Sequence, residues 1–167
     1  MTKQKIMFIL LLVSAGYMAC TKSGNESGRN PCLEPKDYYL TVGTYRPADT
    51  GAAGLDSNLP SAVIGFVDTN VIFYDGKWRG SKFVGPLSGI ADSARWYIQT
   101  DTLKPSQRDT ITFYYERKPV FLSTACGYTF TYSLQRLLAT NYYIDSARIE
   151  NTEVNGAPNI VHVKVFY

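Results

Sequence analysis

The sequence predicts an all-β fold, an antiparallel sandwich of about 7–9 strands with at most one short helix, and a β-barrel as the alternative. Three observations predict it. The chain holds 13 Tyr and 8 Phe beside many Val and Thr, residue types that suit a pleated, half-buried surface. Short apolar runs recur along the chain, divided by Gly, Pro and Asp/Asn turns. Several of these runs alternate apolar with polar residues, the period of a strand with one wet face.

An address precedes the fold. Lys3 and Lys5 form a short basic stretch, residues 6–13 are an unbroken apolar run, and Ser14, Ala15 and Gly16 break it ahead of Ala19-Cys20. Such a segment is a secretion signal, too short to span a bilayer as a permanent helix. The small residue before Cys20 resembles a bacterial lipobox, with Tyr17 where Leu is usual. That resemblance implies that residues 1–19 are removed and that Cys20 carries lipid, each buried CH₂ contributing about 0.8 kcal/mol to the anchor. A plain signal-peptidase cut is the alternative. Residues 20–31 are small and polar without apolar period, and read as a flexible tether. Residues 32–167 then make one domain, long enough to bury a core.

The cysteine count is odd: Cys20, Cys32 and Cys126. If Cys20 is acylated, an even pair remains, and an oxidising compartment favours a Cys32–Cys126 bridge. Closing a loop of about a hundred residues stabilises by up to about 4.7 kcal/mol in the chain-entropy model. Two separate buried thiols are the other reading. Of 17 basic residues, Lys3 and Lys5 fall in the leader, so the remainder nearly balance the 14 acidic ones. A near-neutral chain has no broad electrostatic ground for binding nucleic acid.

Within the domain, residues 38–45 are the first expected strand, bounded by Pro35 and Pro47, and residues 48–58 a Gly-rich loop. Residues 61–67 are a second strand. Asp75-Gly76 follows residues 71–74 and precedes residues 77–79, which predicts a type I′ hairpin because both central residues must tolerate positive φ. Residues 94–100 and 110–117 are strands, the latter with Ile111, Phe113 and Tyr115 on one face and Thr112, Tyr114 and Glu116 on the other. Residues 120–132 form another run, with Gly127 a candidate bulge. Residues 133–140 are the one expected helical turn or two. Residues 142–152 and 160–167 close the chain as a hairpin across Asn155-Gly156, with Val161, Val163 and Val165 sharing a face. Asp92-Ser93-Ala94-Arg95 recurs as Asp145-Ser146-Ala147-Arg148, each opening a strand, which is ordinary turn chemistry.

Cys32 with Pro35, the run Tyr115-Glu116-Arg117-Lys118-Pro119-Val120-Phe121, Ala125-Cys126-Gly127-Tyr128, and the terminal His162-Val163-Lys164-Val165-Phe166-Tyr167 carry a resemblance. With these features the chain resembles a family of uncharacterised Bacteroidota lipoproteins, a domain of unknown function, over roughly four-fifths of its length and most densely in the last third. The likeness implies the β architecture and the Cys32–Cys126 pairing, and it brings no activity. Some surface-exported lipoproteins of that group carry an acidic cluster after the lipidated cysteine. Glu26 is the one acid here, so an outer-membrane anchor facing the periplasm is expected.

Site chemistry is sparse. His162 is the sole histidine and sits mid-strand, which suits a packed or surface side chain better than a triad base. Zinc needs three or four nitrogen or sulfur ligands, and no metal or cofactor is expected. Asp68-Thr69-Asn70 with Asp75 lacks the pattern of a Ca²⁺ loop and reads as turn capping. Adjacent aromatics (Tyr38-Tyr39, Trp96-Tyr97, Tyr114-Tyr115, Tyr142-Tyr143) point to opposite faces of a strand. Half of them should lie outside the core, and Trp78 and Trp96 are the candidate ligand-contacting aromatics. Ser93, Thr102, Thr110 and Ser146 each follow Asp and precede an apolar residue, a pattern resembling O-glycan acceptors of exported Bacteroidota proteins. The expected function is therefore non-catalytic: a lipid-anchored envelope protein that binds a partner protein or serves as a structural accessory. A glycan-binding lipoprotein is the alternative.

Overall fold

A computed structural model of the chain describes residues 37–46, 55–56, 59, 61–77, 80–103, 105–124, 126–157 and 159–167. Residues 1–36, with Cys20 and Cys32, and Trp78 lie outside the described residues, so the expected signal segment, tether and anchor do too. Among the described residues every element is a strand, and the strands form two sheets. One contains β1 (Tyr39–Arg46), β2 (Leu55–Asp56), β5 (Lys82–Pro86), β9 (Ser146–Ile149) and β11 (Val163–Phe166). The other contains β3 (Val63–Phe66), β4 (Ile72–Asp75), β6 (Ser93–Gln99), β7 (Arg108–Ser123), β8 (Gly127–Ala139) and β10 (Glu153–Val154). The five-stranded sheet runs β9-β11-β1, and β5 and β2 share the far edge of β1. The six-stranded sheet runs β10-β8-β7-β6-β3-β4. All strand pairs are antiparallel except β1 with β11, which run parallel with Val42 opposite Val163.

The core lies between the inner faces. Leu40, Val42, Phe83, Val163 and Val165 from one sheet meet Ile64, Trp96, Ile98, Ile111 and Phe113 from the other, all essentially inaccessible to water. The period-two pattern of β7 does what alternation predicts, with Ile111, Phe113 and Tyr115 buried and Glu116 exposed. Trp96 is the largest buried side chain, packed edge-on against Phe73 at 5.0 Å and Phe113 at 4.8 Å. Truncating such a residue to Ala costs about 3–5 kcal/mol, transfer and cavity terms together.

The structure corrects several local expectations. Residues 133–140 are not helical but the second half of β8. A bulge explains the false signal: Tyr114 pairs with Arg136 while Tyr115 pairs with Leu134, leaving Gln135 as an extra residue. The slip turns Leu134 and Leu137 to the same core face three positions apart, a spacing that imitates helical periodicity. The Asp75-Gly76 pair makes no type I′ turn. Gly76 has φ of +84°, but Asp75 is absent from the positive-φ residues, so only half the requirement is met. The hairpin forms earlier, where β3 turns into β4 through Asp68-Thr69-Asn70 with Asn70 at φ +54°. The Phe66 amide donates to the Val71 carbonyl there at 2.9 Å.

Residues 146–149 and 163–166 do pair antiparallel, but Asn155-Gly156 is not their turn. Glu153 and Val154 leave that pair and join β8 in the opposite sheet. β5 has no counterpart in the sequence reading, and β2 lies inside the stretch read as loop. At the tip of β7 and β8 the register slips beside Gly127, whose φ is +69°, so the irregularity falls where a bulge was expected.

One carboxylate is buried among the described residues. Asp109 is 1% exposed and accepts hydrogen bonds from Thr140 Oγ1 (2.6 Å) and from the backbone amides of Tyr142 (2.9 Å), Tyr143 (2.8 Å) and Ile144 (2.9 Å). Four donors satisfy an anion that would otherwise be costly to desolvate. They fix the crossover from β8 to β9 and hold Tyr142 and Tyr143 outward.

Candidate functional site

The most organised surface feature is the loop of residues 87–92 that leads into β6. Ser88 makes its turn locally, its Oγ accepting from the Ile90 amide at 3.2 Å and the Ala91 amide at 3.0 Å. β7 clamps it with side chains from its inner face. Tyr115 Oη accepts from the Ser88 amide at 2.8 Å and donates back to the Ser88 carbonyl at 3.3 Å. Burial pushes the Tyr115 phenol up to about 12, so the hydroxyl keeps the proton that this two-way bond requires. The Tyr115 amide donates to the Asp92 carbonyl at 3.0 Å. Arg117 completes the clamp, with Nη1 on the Gly89 carbonyl at 2.8 Å and Nε on Asp92 Oδ1 at 2.7 Å.

A loop held at so many points displays one large apolar side chain to water: Ile90 is 92% exposed. Beside it lies an apolar groove of about 400 Å³ whose walls include Phe66, Val71, Leu87, Ile90 and Ala94. Val71, on the β3–β4 turn, is also mostly exposed. Asp68 and Arg95 form an ion pair at the rim. The Arg95 guanidinium, by hydrogen bonding foremost, holds the Asp68 carboxyl below its usual value. The site therefore offers a rigid apolar knob, an apolar trough and a charged lip. An apolar side chain seated in such a trough would be shielded from water, with hydrogen-bonding groups at the edge.

The residues singled out from sequence fall elsewhere. Trp96, expected as a ligand-contacting aromatic, is fully buried and belongs to the core. Its place on the inward parity of β6, with Ala94 and Ile98, decides this. Its neighbour Tyr97 faces the outer side yet is only 8% exposed, because Arg108 stacks over its ring at 5.0 Å. Trp78, Cys20 and Cys32 lie outside the described residues. Cys126 sits in the turn between β7 and β8, its amide bonded to Ser123 Oγ at 3.0 Å. Of the four acceptor candidates, Thr102 and Ser146 are exposed, while Ser93 and Thr110 are partly covered. The four are spread across β6, the β6–β7 turn, β7 and β9 and form no common site.

His162 is 2% exposed, its Nδ1 accepting from the Thr41 amide at 3.0 Å and its own amide donating to the Thr41 carbonyl at 2.9 Å. Burial lowers its pKa. It is a packed strand residue that ties the segment before β11 to β1. Sequence reasoning did not find Ile90, Tyr115 and Arg117 as a unit. The local signal was weak: Ser88-Gly89 marks a turn, but the clamp comes from a distant strand.

Comparison with family models matches residues 61–167 to a family described as Family of unknown function (DUF6452). The match spans β3 to β11 and so includes the whole of the groove and its clamp. Comparison with curated proteins gives no match, and comparison with solved structures gives none either.

Proposed function

We propose, for a chain that belongs to the Family of unknown function (DUF6452), a non-catalytic role: a lipid-anchored envelope protein of Bacteroidota type that docks a partner protein at the groove beside residues 87–92. The observation that carries this reading is Ile90, 92% exposed on a loop immobilised by Tyr115 and Arg117. An exposed apolar residue on a mobile loop costs little. Holding one rigid against water gains nothing for folding, whereas preorganisation lowers the entropy cost of association. Apolar anchors beside pockets are where binding energy concentrates at protein interfaces.

The anchor belongs to the same reading. Cys20 carries the lipid, residues 20–31 span from the membrane to the fold, and the domain faces the periplasm. In support of the Cys32–Cys126 bridge, Cys126 is not a free thiol. Intact mass of the membrane-extracted protein, with and without reductant, tests the lipid and the bridge together and reports any glycan on Thr102 or Ser146. A free, unlipidated chain would overturn the anchored form.

The docking face is tested by in-cell photo-crosslinking. A photoreactive residue replaces Ile90, and a second strain carries it at Leu103, which is 86% exposed at the opposite end of β6. Discrete adducts at position 90 and none at 103 are expected. Equal yields at the two positions would overturn the reading.

A further inference from the structure

Beyond the lip of the groove, the outer face of the six-stranded sheet carries an unusual set of cations. Arg136 of β8 stacks over the Tyr114 ring at 4.2 Å, and Arg108 of β7 stacks over Tyr97 at 5.0 Å. Arg95 of β6 stands opposite Thr112, between them. The six ion pairs of the described residues include Arg95, which binds Asp68, but neither Arg108 nor Arg136. Both are exposed. Of the other carboxylates on this face, Glu116 and Glu153 lie beyond Tyr114, where Lys118 approaches Glu153 at 3.8 Å, and Asp75, in the Arg108 row, is paired with Lys77 at 2.8 Å. The strip from Tyr114 to Arg108 is therefore net positive on a chain that is otherwise close to neutral.

The spacing identifies the ligand class. Tyr97 stands opposite Thr110 and Arg136 opposite Tyr114, so at about 3.3 Å per residue the two stacked guanidiniums are about 13 Å apart along the sheet. A single phosphate needs donors that converge on one point, and these do not converge. An extended polyanion meets them in turn. Stacking on a ring leaves the edge donors of a guanidinium free and restricts its rotamers, so little freedom remains to be lost on binding. Leu138, 49% exposed on the same face opposite Thr112, adds an apolar contact that suits a polypeptide better than a sugar or a headgroup. We infer that this face receives an extended acidic segment of the partner protein, running from Arg136 past Arg95 at the groove lip to Arg108. The inference rests on the docking reading above and names its chemistry.

The test uses the full chain purified in detergent and a fluorescent twelve-residue peptide with Glu at alternate positions, followed by anisotropy. Arg108→Glu with Arg136→Glu should weaken binding at least tenfold, and raising the salt should weaken the native interaction as counter-ions screen it. Arg108→Lys with Arg136→Lys, which keeps charge but not the planar stack, should fall between. Melting temperature is recorded for each variant, so a folding defect is recognised. Binding unchanged by the reversal, equal binding of a Lys-rich peptide, or stronger binding to vesicles of anionic phospholipid than to the peptide would each overturn the inference. The Ile90 adduct reads the groove independently. Adducts present with charge-insensitive peptide binding reject the acidic segment alone, and adducts absent reject the docking reading itself.

Discussion

Gly85 of β5 lies directly under the indole of Trp96: a methyl group on it would come within 2.7 Å of Cη2 and 2.8 Å of Cζ2. Phe73 Cε2 would meet the same methyl at 2.8 Å. Neither ring can yield, because both are packed between the sheets. Gly85→Ala is expected to destabilise by about 1–3 kcal/mol, the cost of overpacking a filled core. Urea titration should show a lower midpoint at unchanged slope. A neutral result would mean that β5 sits farther from Trp96 than the structure places it.

Asp109→Ala should be among the most damaging changes away from the core. It orphans the amides of Tyr142, Tyr143 and Ile144 together, and each buried donor left without an acceptor costs about 1–3 kcal/mol. A total loss above about 3 kcal/mol is expected. Asp109→Asn, which keeps one acceptor oxygen, should lose less. Amide exchange at Tyr142, Tyr143 and Ile144 should accelerate in both variants, more in the first.

His162 makes stability depend on pH with a definite sign. Its folded pKa is depressed by burial below the unfolded value, so the unfolded chain binds the proton more readily. Stability is full above the unfolded pKa near 6.5 and declines as pH falls from there through the folded pKa. Melting temperature measured between neutral pH and pH 5 should fall, and His162→Gln should flatten that dependence. A slope unchanged in the variant would assign the effect to other groups.

Arg117→Gln tests the clamp without touching the core. The Arg117–Asp92 pair is partly solvated, with side chains 27% and 74% exposed, so global stability should fall by less than about 1 kcal/mol. Locally the effect should be larger. Exchange of the Ile90 and Ala91 amides should rise, and the cross-linking yield at position 90 should drop.

How much of this was legible in the sequence depended on whether the signal was local. Ile111, Phe113 and Tyr115 announce β7 because one face of that strand is wet and the other dry. The strand of residues 82–86 announces nothing: Phe83 is its one large core side chain, and at Gly85 the place of a side chain is taken by Trp96. Leu134 and Leu137 misled because a bulge at Gln135 gave a strand the spacing of a helix. Trp96 misled differently, since parity fixes which of Trp96-Tyr97 faces inward only once the sheet's dry side is known. The loop of residues 87–92 was beyond reach because its rigidity comes from Tyr115 and Arg117, which reach Ser88 and Gly89 across 27 and 28 positions of sequence.

The parallel pairing of β1 with β11 bears on how the molecule comes to be folded at all. Thr41 and His162, joined by two hydrogen bonds, are 121 positions apart. β11 lies between β1 and β9 rather than at an edge. The first described strand must therefore wait, one side unpaired, until β11, more than a hundred residues later, has been synthesised. Such long-range closure slows folding and lengthens the interval in which an open strand invites another chain. A chain that assembles this way gains from being kept extended until both partner strands exist, so the order in which its strands are made sets when it can close.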